Sequence, residues 1–324
     1  MSDYEPPCTI SPKIVELVAE VCEAVGERGA SNASIRELRL RRLDRIRTIQ
    51  GSLAIEGNEL STNQITALME GKPVVAAARD IAEAKNAIQV YDQLEKWDPH
   101  SVDSLLNAHR LLMDGLAEDA GRFRSAGVGV VSGIDIVHLA PAAAQVDRLM
   151  ADLFEWVRQT DQHPLIASSI FHYEFEFIHP FSDGNGRMGR LWQSLLLTRW
   201  NSIFSTLPVE SLVFAKQKDY YLAIQQSTDI GDSRPFVEFM LASIRETLLE
   251  TPQATPQATP QVEAILKVLG DDELSRSDLQ TRLRLKDAKS FRKRYLKPAL
   301  RGGWIEQTVP EKPNSPKQRY RKIT

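Results

Sequence analysis

His179-Pro180-Phe181-Ser182-Asp183-Gly184-Asn185-Gly186-Arg187-Met188-Gly189-Arg190 is the stretch around which the rest of the chain is arranged. It gathers a titratable ring, a carboxylate, an amide, three glycines and two arginines. Upstream, Ile170-Phe171-His172-Tyr173-Glu174-Phe175-Glu176-Phe177-Ile178 is an apolar-periodic run, and downstream Leu191-Trp192-Gln193-Ser194-Leu195-Leu196-Leu197 is another. Both spacings predict helices, so the stretch reads as a glycine-rich loop opening into a helix N-terminus. Such a place presents free backbone N–H groups and the positive end of a helix dipole, which suit a phosphate. Glycine lets the backbone turn tightly and approach an anion, and arginine adds forked donors. A helix-capping loop with incidental charges is the plainer alternative, but a cap needs neither a histidine nor two spaced arginines.

The whole sequence bounds this reading. Its 324 residues suffice for two or three domains with a real core. Apolar content of 42% with 26% charged residues fits a soluble globular protein. No apolar run has the length of a membrane span, and the start, Met1-Ser2-Asp3-Tyr4-Glu5-Pro6-Pro7, lacks the regions of a signal peptide. Cys8 and Cys22 are the only cysteines and have no metal-ligand spacing, so a reduced cytoplasm is expected, with no membrane partner. The six histidines are scattered, which speaks against a histidine zinc site. Net charge is −3, yet residues 261–324 hold 16 Lys and Arg against 8 Asp and Glu, a net of +8 that leaves −11 for the rest. A basic tail on an acidic body implies different partners for the two parts.

Residues 11–50 are patterned as helices, with Ile14, Val18, Val21 and Val25 on one apolar stripe and Leu43, Ile46 and Ile49 on another. Gly26 and Gly29 mark a break between them. The arginines between Arg36 and Arg47 read as a solvated helix face rather than a nucleic-acid contact. Ser61 is an N-cap candidate for a short helix through Met69. Helices are expected over 76–97, 102–116 and 142–157, with His109 in a core or an interface. Residues 121–141 place valines between glycines, the pattern of a short β-hairpin. Leu207–Val213 reads as a short strand or loop, followed by helices from Lys216 and over 235–249. Thr-Pro-Gln occurs three times over 251–261, a proline density that predicts a semi-rigid linker. Beyond it, helices over 262–269, from Ser275 and over 286–296 precede two strands, at 302–306 and 318–321, joined by a Pro-rich turn.

The opening stretch resembles the signature of the Fic (fido) family, His-x-Phe-x-(Asp/Glu)-Gly-Asn-Gly-Arg-x-x-Arg. His179, Phe181, Asp183, Gly184, Asn185, Gly186, Arg187 and Arg190 meet every fixed position. Ser52-Leu53-Ala54-Ile55-Glu56-Gly57 resembles the family's inhibitory motif, (Ser/Thr)-x-x-x-Glu-(Gly/Asn). As a plain surface residue, a glutamate at a helix C-terminus would be electrostatically misplaced. Residues 121–141 resemble the family's flap, which pairs with the backbone of a target segment, although Ala140 stands where relatives often carry a proline. Tyr220-Tyr221 resembles the adenine-side wall, and Thr228 stands where relatives often place asparagine. The tail resembles a winged helix-turn-helix, whose usual partner is DNA through the third helix; docking of a protein is the alternative.

The resemblance implies a mostly α fold: a Fic-type helical domain with a short β-hairpin flap, plus a small C-terminal winged helix-turn-helix domain. The implied parts are an N-terminal helical region with the inhibitory motif (1–98), the Fic catalytic core (99–248), a linker (249–261) and the winged-helix domain (262–324). It also implies transfer of AMP from ATP to Ser, Thr or Tyr hydroxyls of target proteins and of the chain itself. A hydroxyl is a poor nucleophile at neutral pH, and an unperturbed histidine titrates near about 6.5, so His179 is the implied general base. Asp183 is the implied Mg²⁺ ligand between the phosphates. Gly184, Asn185 and Gly186 form the implied phosphate cradle, with Met188 and Gly189 continuing the nucleotide-binding stretch. Arg187 would offset charge on the leaving group and Arg190 would fix the γ-phosphate, while Phe181 anchors the loop. Glu56 beside Arg190 would compete with the γ-phosphate and misplace the α-phosphate. Tyr221 would flank the adenine. The implied partners are a hydroxyl-bearing protein docked on 121–141, DNA at 262–324 and a second copy in a homodimer. Alternatives stay open: removal of AMP from modified proteins at the same site, transfer of another phosphate-containing group, or a DNA-binding regulator whose Fic site senses nucleotide.

Overall fold

A computed structural model describes residues 4–29, 35–127, 129–132, 135–205, 207–250, 260–270, 272–285, 287–301, 304–309, 315 and 318–322. The chain divides into two compact units, one formed by 1–27 and 44–251 and the other by 28–43 and 252–324. Helices α1 (Pro12–Gly29), α2 (Ile35–Ile55), α3 (Thr62–Met69), α4 (Ala78–Asp92) and α5 (Val102–Leu112) come first. A hairpin of β1 (Gly129–Ser132) and β2 (Asp135–Leu139) follows, then α6 (Ala143–Gln159), α7 (Pro164–Ile178), α8 (Asn185–Trp200), α9 (Val209–Ala215), α10 (Gln217–Ile230) and α11 (Arg234–Glu250).

The core of the first unit is built around α7 and α8. Helix α7 is apolar nearly all round and is buried from Leu165 to Phe175, as a central helix must be. It starts at Pro164, which suits the first helical position, with the His163 ring accepting from the Leu165 N–H. Phe171 packs edge-on against Phe154 of α6, and the Trp192 indole of α8 donates to the Pro99 carbonyl. The capping box expected at Ser61 is present, with Gln64 as its reciprocal partner. Strands β1 and β2 pair antiparallel from Gly129 opposite Leu139, with a register shift between Val130 and Val131. Val128, Gly133 and Ile134 of the expected flap lie outside the described residues.

Three sequence expectations are corrected. The segment read as a strand or loop, Leu207–Val213, leads into helix α9, with Val209 and Val213 buried one turn apart. Seven residues behind Pro208 are too few for a helical period to declare itself in sequence. Gly26 does not break a helix, because α1 runs through it to Gly29. The linker is shorter than 249–261: α11 reaches Glu250 and the next helix starts at Pro260, so Thr251–Thr259 lie between them and outside the described residues.

The second unit's C-terminal part contains α12 (Pro260–Leu269), β3 (Leu274–Ser275), α13 (Arg276–Arg282) and α14 (Ala288–Phe291). A π-helical turn (Arg292–Leu296) carries α14 into α15 (Lys297–Arg301), and β4 (Ile305–Gln307) and β5 (Arg319–Lys322) follow. The strands form an antiparallel sheet in the order β3-β5-β4, so the expected pair gains a third, two-residue strand. Ser275 caps α13 with Asp278 as partner. A small separate core of Val262, Ile265, Leu279, Phe291, Leu296 and Tyr320 holds these elements together. Lys286, Gly302, Gly303 and most of the Pro-rich turn lie outside the described residues.

Candidate active site

The loop between α7 and α8 is fixed by backbone-directed bonds. His179 ends α7 in the left-handed region (φ 50°, ψ 61°), which is unusual for a residue with a β-carbon. Its carbonyl accepts from Arg124 Nε at 2.7 Å. The same guanidinium donates to the carbonyls of Ile178 (3.2 Å), Ala126 (2.9 Å) and Pro141 (2.6 Å), and the Arg124 N–H donates to Pro180. Arg124 therefore ties the loop to both ends of the hairpin stretch. Asn185 locks the other side: its Oδ1 accepts from the Phe181 N–H and its Nδ2 donates to the Phe181 carbonyl, both at 2.9 Å. Phe181 is fully buried and stacks face to face on His109 at 3.6 Å between ring centres. Gly121 N–H donates to His109 Nδ1, so the ring proton sits on Nε2 and is donated to the Asp183 carbonyl at 3.0 Å. Burial pushes the His109 pKa down to about 4, which keeps this tautomer neutral.

Gly184 precedes α8 with φ 84°, leaving the N–H groups of Asn185, Gly186 and Arg187 beyond the reach of intrahelical acceptors. A carboxylate already stands there. Helix α2 ends in a turn in which Gly57 (φ 88°) and Asn58 donate back to Ala54 and Leu53, and this turn projects Glu56. Arg190 Nη2 donates to Glu56 Oε1 at 2.6 Å and to the Ser52 carbonyl at 3.1 Å, while its Nε reaches the Ser52 hydroxyl at 3.3 Å. A β-carbon on Gly186 would lie 2.4 Å from Glu56 Oε1, so only glycine admits the carboxylate this close to the helix start. Burial alone would lower the Arg190 pKa; the Glu56 carboxylate more than offsets that and raises it.

A second ionic group flanks the first. Asp183 Oδ1 accepts from the Gly184 N–H and from Arg187 Nη2 (3.3 Å), and its Oδ2 accepts from Arg79 Nη2 (3.3 Å). Arg79 Nε donates to Glu83 at 3.2 Å, Arg187 Nη1 lies 3.6 Å from the same oxygen, and Asn58 Nδ2 donates to the other at 3.0 Å. Arg187 is buried, yet its Nε and Nη1 have no hydrogen-bond partner. Those two nitrogens suit phosphate oxygens. Among the described residues no group of three His, Cys, Asp or Glu side chains could hold a metal by itself. The half-exposed Asp183 carboxylate does fit Mg²⁺, which usually takes one or two carboxylates and completes its shell with phosphate oxygens and water.

A match over nearly the full length decides the kinship. A Fic family protein from Desulfovibrio desulfuricans G20, known by its crystal structure, is 48% identical to this chain, and the alignment covers 98% of each with a TM-score of 0.73. The chain belongs to the Fic family. The Fic/DOC family model matches residues 99–197, and the model of the Fic-like C-terminal domain, named for filamentation induced by cAMP, matches residues 260–323. "Protein adenylyltransferase Fic" of Nematostella vectensis is 28% identical over 255 residues, 73% of this chain and 57% of that protein. "Protein adenylyltransferase fic-1" of Caenorhabditis elegans is 29% identical over 204 residues, 58% of this chain. The chain thus spans 57% and 37% of the length of these two curated relatives.

Not every residue of the Fic signature faces the helix start in the way its position implied. Met188 is fully buried in the core, and its N–H is spent on the Gly184 carbonyl. Gly189 lies against His172 and Glu176 on the α7 side, where a β-carbon would fall 2.8 Å from each. The side chain of Asn185 is a loop brace rather than a phosphate ligand, so only its backbone is left for an anion. The tyrosine pair separates: Tyr220 is core, with its hydroxyl on His172 Nε2, while Tyr221 is 41% exposed. Burial and then the Glu56 carboxylate raise the Tyr221 pKa, which places that ring near the inhibitory turn. Thr228 is engaged by the Tyr173 hydroxyl at 3.2 Å and by the Ile224 carbonyl. Sequence reasoning missed Arg124, Asn58, Arg79 and Glu83. They lie 55 to 132 positions from the residues they serve, and only a contact map joins them.

Proposed function

We propose that this chain is an autoinhibited protein adenylyltransferase that moves AMP from ATP to hydroxyl groups of other proteins and of itself. The names borne by its relatives support the reaction class. The observation that carries the reading is the Glu56 carboxylate on Arg190 at the start of α8, the place expected for the terminal phosphate. In the reaction, the hydroxyl oxygen attacks the α-phosphorus, the bond to the bridging oxygen breaks, pyrophosphate leaves, and His179 takes the hydroxyl proton. The backbone N–H groups of Asn185, Gly186 and Arg187 hold phosphate oxygens, and Arg187 adds its two unpartnered nitrogens. Asp183 would hold Mg²⁺, which when bound offsets phosphate charge and stabilises the leaving group. While Glu56 occupies Arg190, the γ-phosphate is displaced and the α-phosphorus is out of line for attack. The target's backbone is placed along the hairpin of β1 and β2.

Incubation with labelled ATP tests this. Glu56→Gly should raise self-labelling by about tenfold to a hundredfold, the range that a small misplacement of reacting atoms spans. His179→Ala in the Glu56→Gly background should abolish labelling while nucleotide binding persists. Equal labelling of wild type and Glu56→Gly would falsify the autoinhibition, and labelling that survives His179→Ala would remove that ring as the base.

We further propose that residues 262–324 bind DNA as a winged helix. Lys289, Arg292, Lys293, Arg294 and Lys297 are exposed along the third helical segment, and this basic row supports the reading. Duplex DNA should bind the full chain with affinity falling at least about tenfold between low and moderate salt. Absence of binding, or binding indifferent to salt, would leave protein docking as the use of this domain.

A further inference from the structure

The Arg190 guanidinium has a second carboxylate behind it. Glu56 meets it from the more exposed side, whereas Glu210, buried at the start of α9, lines a small cavity together with Arg190 and Ser194. A chain of hydrogen bonds joins the two. Arg190 Nε donates to the Ser52 hydroxyl at 3.3 Å, Ser52 hydrogen-bonds Tyr91, and the Tyr91 hydroxyl donates to Glu210 Oε1 at 3.4 Å. Ser194, one turn beyond Arg190, donates to the same oxygen at 2.9 Å. The directions are consistent from end to end. A guanidinium only donates, so Ser52 accepts and passes its own proton to Tyr91, whose proton goes to the carboxylate. Bonds aligned in this way polarise one another inside a protein.

The spacing of the chain is built in. A β-carbon on Gly51 would fall 2.6 Å from the Ser211 N–H nitrogen and 2.7 Å from the Glu210 carbonyl carbon, so α2 and α9 touch backbone to backbone beside Ser52. Tyr91 and Ser52 are buried, which shields the bonds from competing water. Burial pushes the Glu210 carboxyl up to about 7. Its Oε2 has no hydrogen-bond partner, so that oxygen can take a proton while Oε1 still accepts from Tyr91.

We infer that Tyr91 and Glu210 are positioning residues of the resting site, which act through Ser52 to hold Arg190 in the orientation that receives Glu56. The inference rests on the autoinhibition reading. It adds that release of Arg190 to a phosphate requires the Ser52 bond to break as well as the Glu56 pair. Self-labelling with ATP is measured for wild type, Tyr91→Phe, Glu56→Gly and the double variant. Tyr91→Phe keeps the ring and its packing and removes only the hydroxyl. It should raise labelling about three- to tenfold in the wild-type background, the factor one buried hydrogen bond allows, and less than about twofold when Glu56 is already gone. Glu210→Gln, which keeps an acceptor, should stay near wild type, while Glu210→Met should match Tyr91→Phe. If Glu56→Gly is activated but Tyr91→Phe is not, or acts by the same factor in both backgrounds, the relay is wrong and the autoinhibition stands. Loss of labelling in both backgrounds overturns the relay too, because it marks a general structural role. If Glu56→Gly itself is not activated, both readings fall.

Discussion

The loop half of the signature, His179–Gly184, is held by Arg124, Asn185 and His109 through bonds to backbone groups. The helix half, Gly186–Arg190, is held by Glu56, Asp183 and Glu83 through ionic contacts. The first set is buried and needs no counter-ion. The second uses carboxylates that are 34% exposed at Glu56 and 46% at Asp183. A bond to a backbone carbonyl has no competitor when a nucleotide arrives, whereas a carboxylate on an arginine can be exchanged for a phosphate. The difference separates what must stay still, the histidine and its loop, from what must be given up, the occupant of the anion site.

The sharpest way to break this contrast is Arg124→Ala. Four carbonyls, of Ala126, Pro141, Ile178 and His179, lose their side-chain donor at once. A stability loss of roughly 3 kcal/mol or more is expected from urea denaturation, since each unsatisfied buried acceptor costs about 1–3 kcal/mol. Arg124→Lys should recover little, because a single ammonium cannot span acceptors that a planar fork reaches. A shift of less than about 0.5 kcal/mol would mean that the loop is not held by these bonds, and the contrast would collapse.

The two halves were unequally legible in the sequence. The signature, Glu56 and the central helices were readable because their signals are local: eight fixed residues in one stretch, a glycine one position after a glutamate, and apolar periods of ten or more residues. Arg124 was not, because nothing in Gly121-Arg122-Phe123-Arg124 tells which arginine turns inward. Tyr91 and Glu210 looked like an ordinary stripe residue and a surface charge, and their meeting depends on Gly51 letting two helices touch. Asn185 shows the converse: its place in the signature was plain, but its partner is the Phe181 backbone rather than a ligand. A pattern reports which residues matter and leaves open which atoms they face.

The smallest effect is expected at Arg79, and it isolates the ionic half. Arg79 makes two ion pairs, with Glu83 and Asp183, and is 61% exposed. Solvent screens such pairs, so Arg79→Ala should change stability by less than about 1 kcal/mol. Its functional effect should be visible nonetheless. The guanidinium on Asp183 Oδ2 occupies an oxygen that Mg²⁺ would need, and its removal takes away that competitor. The Mg²⁺ concentration at half-maximal binding of a non-hydrolysable ATP analogue should fall by about two- to fivefold, and the difference should shrink as salt is raised. A rise in that concentration would show that Arg79 helps to hold the nucleotide rather than to guard its place. The exposed arginine would then belong with the permanent part of the site, and the line between the two halves would have to be drawn elsewhere.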